Sequence, residues 1–274
     1  MFSGRWNSKK LSSHWDKVAQ KIEDISQAPS TKLYRQSEIN LFRKHFGMLK
    51  GKKLLKLDLW NEVNNTRILS WAAKRRAKVY GIDISSYLVE KTEENFKKDQ
   101  LRGTFLCCDM RELDFPDDSF DLIYTMGTIE HVHDYYIAAR EIYRVLKPGG
   151  RAIIGVPNKL DPFLRPLMVW FLDKLGFYAY SPEHSFTRKE LQLMLQGAGF
   201  DIVSDTGILF MPGILRMADL FLNKYLKPLT AFTEPLFKPF DYLERNYDWA
   251  KRNGYLIACV VSKTRKINHP GRST

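Results

Sequence analysis

The chain has 274 residues, of which 44% are hydrophobic and 27% charged, and it carries a formal net charge of +12. This composition is typical of a globular protein with a substantial core and excludes wholesale disorder. The three cysteines, Cys107, Cys108 and Cys259, are too few for a disulfide scaffold and lack the C-x-x-C spacing of a zinc site. Because two adjacent thiols suit a reducing compartment, the sequence predicts a cytoplasmic protein.

The positive charge lies at the two ends of the chain. Residues 1–53 hold 12 basic and 4 acidic side chains, residues 54–262 hold 27 of each, and residues 263–274 hold 4 basic and no acidic ones. A charge-balanced body with basic ends disfavours a groove shaped for nucleic acid. Two alternatives remain for the ends: they are solvated termini, or they are arms that contact an anionic surface such as a membrane.

No secretion signal or membrane span is predicted. Residues 1–20 alternate polar and apolar side chains rather than forming an apolar core. The most apolar stretches, 163–180 and 208–226, are interrupted by charged residues and are not expected to cross a bilayer. Within the second of them, the pattern at 214–226 predicts an amphipathic helix. Its polar face carries Arg216, Asp219 and Asn223.

From Leu54 onward, short apolar runs alternate with helical patterns, which predicts a parallel sheet with helices on both faces. Strands are predicted at 54–59, 78–82, 103–107, 120–125 and 151–156. Helices are predicted between them at about 66–77, 86–98 and 135–146.

Two insertions interrupt this alternation. The first, 158–186, ends where residues 187–190 predict a capping box at the start of a helix. The second insertion is 207–253. The two strands that flank it are predicted at 200–206 and 254–263.

Three carboxylates are predicted to close the first three strands: Asp58, Asp83 and Asp109. In open parallel sheets, ligands bind beyond the carboxyl ends of the strands. The spacing from the first strand to Asp83 suits a carboxylate that accepts hydrogen bonds from two ribose hydroxyls. A single aspartate here could instead be a helix N-cap, but three in register favour a nucleoside site.

Three segments that follow these strands resemble the motifs of the class I S-adenosylmethionine-dependent methyltransferases, in particular the group with small-molecule, quinone and glycan methyltransferases. They are Asp109 to Tyr124, Gly127 to Asp134 and Arg144 to Arg151. A weaker match covers His184 to Thr187 and Leu191 to Phe200. The resemblance extends from about residue 54 to residue 263.

The resemblance implies a Rossmann-like fold with a seven-stranded, mostly parallel sheet, an antiparallel last strand, and helices on both faces. The expected organisation is an N-terminal helical cap at 1–50, the methyltransferase-like domain at 51–265 with its two insertions as lids, and a basic tail at 266–274. In the cap, three residues are expected to turn inward: Trp15, Tyr34 and Leu41.

The resemblance also implies S-adenosylmethionine as the cofactor. Asp83 is expected to bind its ribose hydroxyls and Asp109 its adenine amino group, with Ile84 and Met110 beside the adenine. Thr125, at the end of the fourth strand, is also expected at the cofactor.

The first motif departs from the family pattern, which is an acidic residue followed by three glycines at alternate positions. Here the acidic residue is Asp58, and the glycine positions hold Trp60, Glu62 and Asn64. Glycine leaves room for a ligand to approach the backbone, so the change is large. One interpretation is a rebuilt loop in which Glu62 pairs with the cofactor ammonium and Trp60 packs near the sulfonium. The alternative is a non-catalytic binding or partner protein that has lost normal cofactor binding.

Methyl transfer from a sulfonium requires the protein mainly to position the acceptor and, for a hydroxyl, to remove its proton. The candidates for this proton transfer are Glu130, His131 and His184. No metal site is predicted, because Gly127 stands where the resemblance expects a further acidic ligand.

Members of the family that methylate adenine or glutamine amides carry Asn-Pro-Pro-Tyr after the fourth strand, whereas this chain has Tyr124 to Gly127 there. An exocyclic nucleobase amine is therefore disfavoured as the acceptor. The aromatic and aliphatic residues of both insertions are expected to cover the open end of the sheet. This cover favours a small or amphiphilic, lipid-like acceptor, methylated at a hydroxyl. Peripheral contact with a membrane is expected as well. The alternative role for the insertions is an auxiliary core or a dimer contact. A Rossmann-type oxidoreductase is disfavoured because no G-x-G-x-x-G is present.

Overall fold

The computed structural model describes residues 7–21, 23–176, 178, 180 and 183–264, so the expected basic tail at 266–274 lies outside the described residues. The strands are β1 (Lys53–Lys56), β2 (Lys78–Asp83), β3 (Gly103–Cys107), β4 (Phe120–Met126), β5 (Leu146–Pro157), β6 (Asp201–Ile208) and β7 (Leu256–Ser262). They form one sheet in the order β3-β2-β1-β4-β5-β7-β6. Strand β7 pairs antiparallel with both β5 and β6, and the other strand pairs are parallel. The predicted seven-stranded, mostly parallel sheet with an antiparallel last strand is therefore confirmed.

The helices are α1 (Ser8–Ala19), α2 (Pro29–Leu41), α3 (Trp60–Asn64), α4 (Ile68–Ala73), α5 (Ser86–Lys98), α6 (Tyr135–Val145), α7 (Arg165–Lys174), α8 (Arg188–Gly197), α9 (Gly213–Tyr225), α10 (Thr230–Asn246) and α11 (Asp248–Arg252). Because successive strand residues point to opposite faces, the sheet separates two cores. The core beneath α2, α4 and α5 contains Leu54, Leu122 and Val260. The core beneath α6 and α8 contains Leu55, Ile123 and Val261.

Two strand boundaries differ from the sequence prediction by three residues or more. β1 ends at Lys56 rather than at residue 59, because the chain turns at Leu57 toward the short helix α3. β5 begins at Leu146 rather than at residue 151, because Leu146 already pairs with Phe120 before a register shift. The predicted capping box is confirmed, since Thr187 and Glu190 exchange both side-chain hydrogen bonds at the start of α8.

The cap and the insertions lie beside the carboxyl edge of the sheet. Helix α1 contacts α5, whereas α9 of the second insertion contacts α2, α10 and the first-insertion helix α7. Within the described ranges, no helix combines the length and the apolar character needed to cross a membrane. The insertions therefore contribute short helices around the opening of the sheet.

Candidate active site

A cavity of about 350 Å³ opens at the carboxyl ends of the parallel strands. Its volume lies in the range of small-molecule sites. Most of the predicted cofactor residues line it: Asp58, Trp60, Asp83, Ile84, Asp109 and Met110. The predicted catalytic residues Glu130 and His131 line it as well. Of the cap residues expected to turn inward, Trp15 and Tyr34 line the cavity, and Leu41 is buried in the core.

Asp83 is held by backbone donors on both sides. Its Oδ2 accepts the N–H of Leu59 at 2.8 Å, and its Oδ1 accepts the N–H of Ser85 at 2.9 Å. Burial raises the pKa of Asp83 to about 7. Because an ionised carboxylate has about four acceptor positions, two remain for ligand hydroxyls. This arrangement fits a ribose.

Asp109 already has a full set of donors. Arg111 donates to it from the backbone N–H, from Nε and, at 2.6 Å, from Nη2, and the Ser8 hydroxyl donates at 2.7 Å. Burial acts to raise the pKa of Asp109, but the hydrogen bonds from Arg111 and Ser8 outweigh it and hold the pKa below its ordinary value. Ser8 is exposed and neutral, so it is the partner that an adenine amino group could replace.

The first motif forms the helix α3 rather than an open loop, and Glu62 is turned away from the cavity. Both oxygens of Glu62 lie 3.1 Å from the backbone nitrogen of Leu69, at the start of α4, where N–H groups lack helical partners. The Lys56 ammonium lies 3.9 Å from Glu62 and 2.8 Å from Asp58 Oδ1. Asp58, whose Oδ2 accepts the Thr128 hydroxyl at 3.1 Å, is the carboxylate of this motif that lines the cavity.

Trp60 is accommodated because other segments pack around it. Its ring makes edge contacts with Trp15 of α1, at a centroid distance of 5.9 Å, and with Tyr180 of the first insertion, at 5.2 Å. The Trp15 ring also meets the His131 ring at 5.0 Å. The cap and the insertion therefore build the wall that the glycine-free motif requires.

This geometry predicts a structural role for Glu62. Glu62→Gln keeps an acceptor for the Leu69 N–H but loses the attraction to Lys56, so the free energy of unfolding should fall by about 1 kcal/mol, measured by urea denaturation. The affinity for S-adenosylhomocysteine, measured by calorimetry, should change less than about twofold. Glu90→Gln, on the exposed face of α5, is the control and should change neither quantity. A selective loss of affinity in Glu62→Gln would instead assign Glu62 to the cofactor ammonium.

Glu130 and His131 follow β4 in a short 3-10 turn, Ile129–His131. Glu130 is only 1% exposed, and its Oε2 has no hydrogen-bond partner among the described residues. Burial, with a smaller contribution from the nearby Glu183, raises the pKa of Glu130 well above its ordinary value. His131 Nε2 lies 3.7 Å from Glu130 Oε1. Glu130 is therefore a buried acid with proton-binding capacity on the cavity wall.

A polar cluster from the first insertion faces Glu130 and was not found in the sequence. The buried Arg165 guanidinium contacts both oxygens of Glu183, at 2.5 and 2.8 Å, and lies 4.2 Å from the ring centroid of Tyr255. The Tyr178 hydroxyl also donates to Glu183. No motif or spacing marks these residues, because their pairing depends on how the insertion folds back.

Arg216 of α9 is a second cavity cation. Its Nη1 donates to the Ser30 carbonyl at 3.2 Å, and its guanidinium lies 5.4 Å from the ring centroid of Tyr34. The Tyr34 hydroxyl also lies 3.4 Å from Asn61 of α3, which belongs to the first motif. Because Arg216 and Asn61 both contact Tyr34, Arg216 lies on the same side of the cavity as the first motif. Within the described chain, no carboxylate lies within 4 Å of Arg216.

Two other predicted site residues are not brought to the cavity. Thr125 is buried inside β4, where it pairs with Ile154 of β5. His184 lies parallel to the Tyr135 ring at 5.8 Å and edge-on to Phe186 at 4.5 Å, and burial lowers its pKa. Thr125 is therefore enclosed in the sheet, His184 is an exposed ring beside Tyr135 and Phe186, and neither lines the cavity.

Comparisons with known proteins agree with this fold. A family model described as a methyltransferase domain matches residues 63–154, beginning near the end of the altered motif at Asp58 to Asn64. A demethylmenaquinone methyltransferase from Geobacillus sp. (strain WCH70) is 32% identical over 57% of this chain and 74% of its own length. A 2-methyl-6-phytyl-1,4-hydroquinone methyltransferase from Synechocystis sp. (strain ATCC 27184 / PCC 6803 / Kazusa) is 35% identical over 34% of this chain and 29% of its own length.

Solved structures extend the similarity to almost the whole chain. The crystal structure of the [4+2]-cyclase SpnF matches 95% of this chain and 97% of its own, with a TM-score of 0.62 and 17% identity. At that identity the match supports the fold alone. The family follows instead from the 32% identity over 74% of the demethylmenaquinone methyltransferase, together with the domain match. This chain belongs to the class I S-adenosylmethionine-dependent methyltransferases, enzymes whose cofactor is S-adenosylmethionine.

Proposed function

We propose that this enzyme methylates a hydroxyl group of a lipophilic acceptor and that Glu130 removes the hydroxyl proton. The observation that carries the proposal is the Glu130 carboxyl group, which is buried at the cavity wall with one oxygen lacking a partner among the described residues. The names of two relatives, a demethylmenaquinone and a phytylhydroquinone methyltransferase, support an acceptor with a ring and an apolar tail.

The proposed cofactor contacts follow the strand ends. Asp83 takes the ribose hydroxyls with its remaining acceptor positions, and Asp109 takes the adenine amino group in place of the Ser8 hydroxyl. Ile84 and Met110 flank the adenine. When bound, the cofactor supplies a methyl group on a sulfonium that an acceptor oxygen can displace in line.

The amino-acid end of the cofactor requires new partners, because the glycine loop is absent. Asp58 is the carboxylate of the first motif that lines the cavity, so it is assigned to the ammonium group of the cofactor. Arg216 is assigned to the carboxylate, since its guanidinium faces the same side of the cavity with no acidic partner within 4 Å in the described part of the chain. Trp60 separates this end from solvent by its contacts with Trp15 and Tyr180.

At the acceptor end, Glu130 holds the proton that leaves the hydroxyl, and its raised pKa makes it a stronger base than an exposed glutamate. Arg165 stays paired with Glu183, so the cluster is electrically balanced and orients the acceptor without adding a free charge. The lid helices contribute apolar lining residues: Met168, Leu172, Met217 and Leu220. These side chains exclude water and favour an apolar acceptor.

Two measurements test this function. Calorimetry with S-adenosylhomocysteine should show saturable binding to the purified protein. Transfer of label from S-adenosylmethionine should then occur to a long-chain phenol or isoprenoid hydroquinone, and not to a primary amine with the same chain. Transfer to the amine alone, with binding intact, would reject the hydroxyl acceptor.

A further inference from the structure

Helix α9 is amphipathic, but its polar side faces the protein. Asp219 is fully buried, where its two oxygens accept the Ser30 N–H at 2.9 Å and the Thr233 hydroxyl at 2.5 Å. On the outer side, Phe221 is 57% and Tyr225 59% exposed. A surface helix of a water-soluble domain normally has the opposite arrangement. Some apolar environment is therefore expected to cover the outer side.

Helix α7 repeats this inverted arrangement. Arg165, at its start, is buried in the ion pair with Glu183, whereas Trp170 and Phe171 are each 57% exposed. The two helices contact each other, and Ile214 of α9 shares a surface groove with the exposed residues of α7. We call the resulting surface the apolar face; it consists of Leu167, Trp170, Phe171, Ile214, Phe221 and Tyr225.

Most charges beside the apolar face are basic, although Glu23 lies in the same groove. Helix α1 and the turn after it expose Lys9, Lys10, Lys17 and Lys21. Lys17 and Lys21 share a groove with Phe221 and Tyr225, so these lysines border the apolar face directly. Lys224, the one exposed charged residue within α9, is paired with Glu23 at 2.9 Å, so the unbalanced positive charge of the rim comes from the lysines of α1 and its turn. An apolar surface with a lysine rim is complementary to an anionic bilayer.

The same two helices also form one wall of the active-site cavity. Met168 of α7 and Leu220 of α9 line the cavity, while neighbouring residues of each helix belong to the apolar face. Helices α7 and α9 therefore separate the cavity from whatever covers the apolar face. A lipophilic acceptor would need to cross that layer, and not open water, to reach Glu130.

We propose that the apolar face inserts into the boundary between headgroups and acyl chains of an anionic membrane, with the lysines of α1 on the phosphates, and that the acceptor enters from that membrane. The entry of the acceptor rests on the proposed function, whereas membrane binding does not. A second copy of the chain fits this surface less well, because it would bring the same lysines into contact with each other.

The test is flotation of the full-length protein with vesicles of phosphatidylcholine alone or with 30% phosphatidylglycerol, in the absence of cofactor and acceptor. The protein should float with the anionic vesicles, less so at high salt. Phe221→Ser and Trp170→Ser should each weaken binding about tenfold or more, since each removes a large apolar side chain from the membrane boundary. The double variant Lys17→Gln, Lys21→Gln should also bind the anionic vesicles more weakly than the unaltered protein, and its binding should depend less on salt.

Leu193→Ser is the matched control, because Leu193 is also 57% exposed but lies on α8. It should float as the unaltered protein does, and all variants should keep their melting temperature. Equal flotation of Phe221→Ser and Leu193→Ser, or no flotation at all, would overturn the membrane proposal. So would a dimer in gel filtration that Phe221→Ser dissociates. None of these outcomes depends on methyl transfer, so a failure here leaves the proposed function to its own test.

Discussion

Replacing Glu130 with Gln should lower kcat about a hundredfold, because the variant keeps the shape of the side chain but cannot accept the acceptor proton. Binding of S-adenosylhomocysteine should remain within about twofold of the original, since Glu130 lies past β4 and not beside Asp83 or Asp109. The measurements are single-turnover methyl transfer to a long-chain phenol and calorimetry. An equal loss of affinity and rate would show that Glu130 supports the cavity and does not act as the base.

The pH dependence gives a second readout of the same group. Activity requires the ionised carboxylate, so the rate should rise with pH as Glu130 loses its proton. Burial raises the pKa of Glu130, so this rise should occur well above the pH range of an ordinary glutamic acid. In Glu130→Gln the rise should disappear and leave only the alkaline limb near pH 10 where a phenol ionises by itself, at about the pKa of tyrosine.

His184→Gln is the matched control for this experiment. The sequence makes His184 as good a candidate base as Glu130, but its ring packs on Tyr135 and Phe186 outside the cavity lining. Its replacement should leave the pH profile unchanged and lower kcat by less than about threefold. A lost pH limb in His184→Gln would reassign the base.

The sheet and the position of Asp83 and Asp109 at the cavity could be predicted from sequence because local patterns determine them. Strand periodicity gives the two cores, and Asp83 and Asp109 reach one edge simply because parallel strands end there. The orientation of Glu62 could not be predicted in this way. Spacing placed Glu62 at the second glycine position, but the open N-terminus of α4 at Leu69 and the buried Lys56 turn it inward.

The cluster of Arg165, Tyr178 and Glu183 could not be predicted because it belongs to the first insertion, which has no periodic relation to the sheet. Arg165 pairs with Glu183 across 18 residues of sequence, and only the fold of the first insertion brings them together. For α9 the hydropathy pattern predicted the correct polar face, but not the direction in which that face points. A polar stripe with Arg216 and Asp219 is normally placed toward water, and here it closes the cavity and the cap.

The inward direction of Arg216 leads to a prediction about cofactor recognition. Arg216→Gln should weaken S-adenosylhomocysteine binding about tenfold to a hundredfold, the cost of losing a charge-assisted hydrogen bond to a carboxylate. Binding of 5′-methylthioadenosine should not change, because that nucleoside has no amino-acid group for Arg216 to contact. Calorimetry with the two ligands measures the difference directly, without an acceptor or turnover.

The two-ligand design separates recognition from support of the fold. Arg35→Gln, on the exposed side of α2, removes the same charge and should affect neither ligand. If Arg216→Gln weakened both ligands equally, Arg216 would serve to hold Tyr34 and Ser30 in place. If it weakened neither, the cofactor carboxylate would have another partner. A selective loss would mean that the lid helix has taken over a contact of the missing glycine loop, so that cofactor binding and closure of the acceptor cavity depend on the same helix.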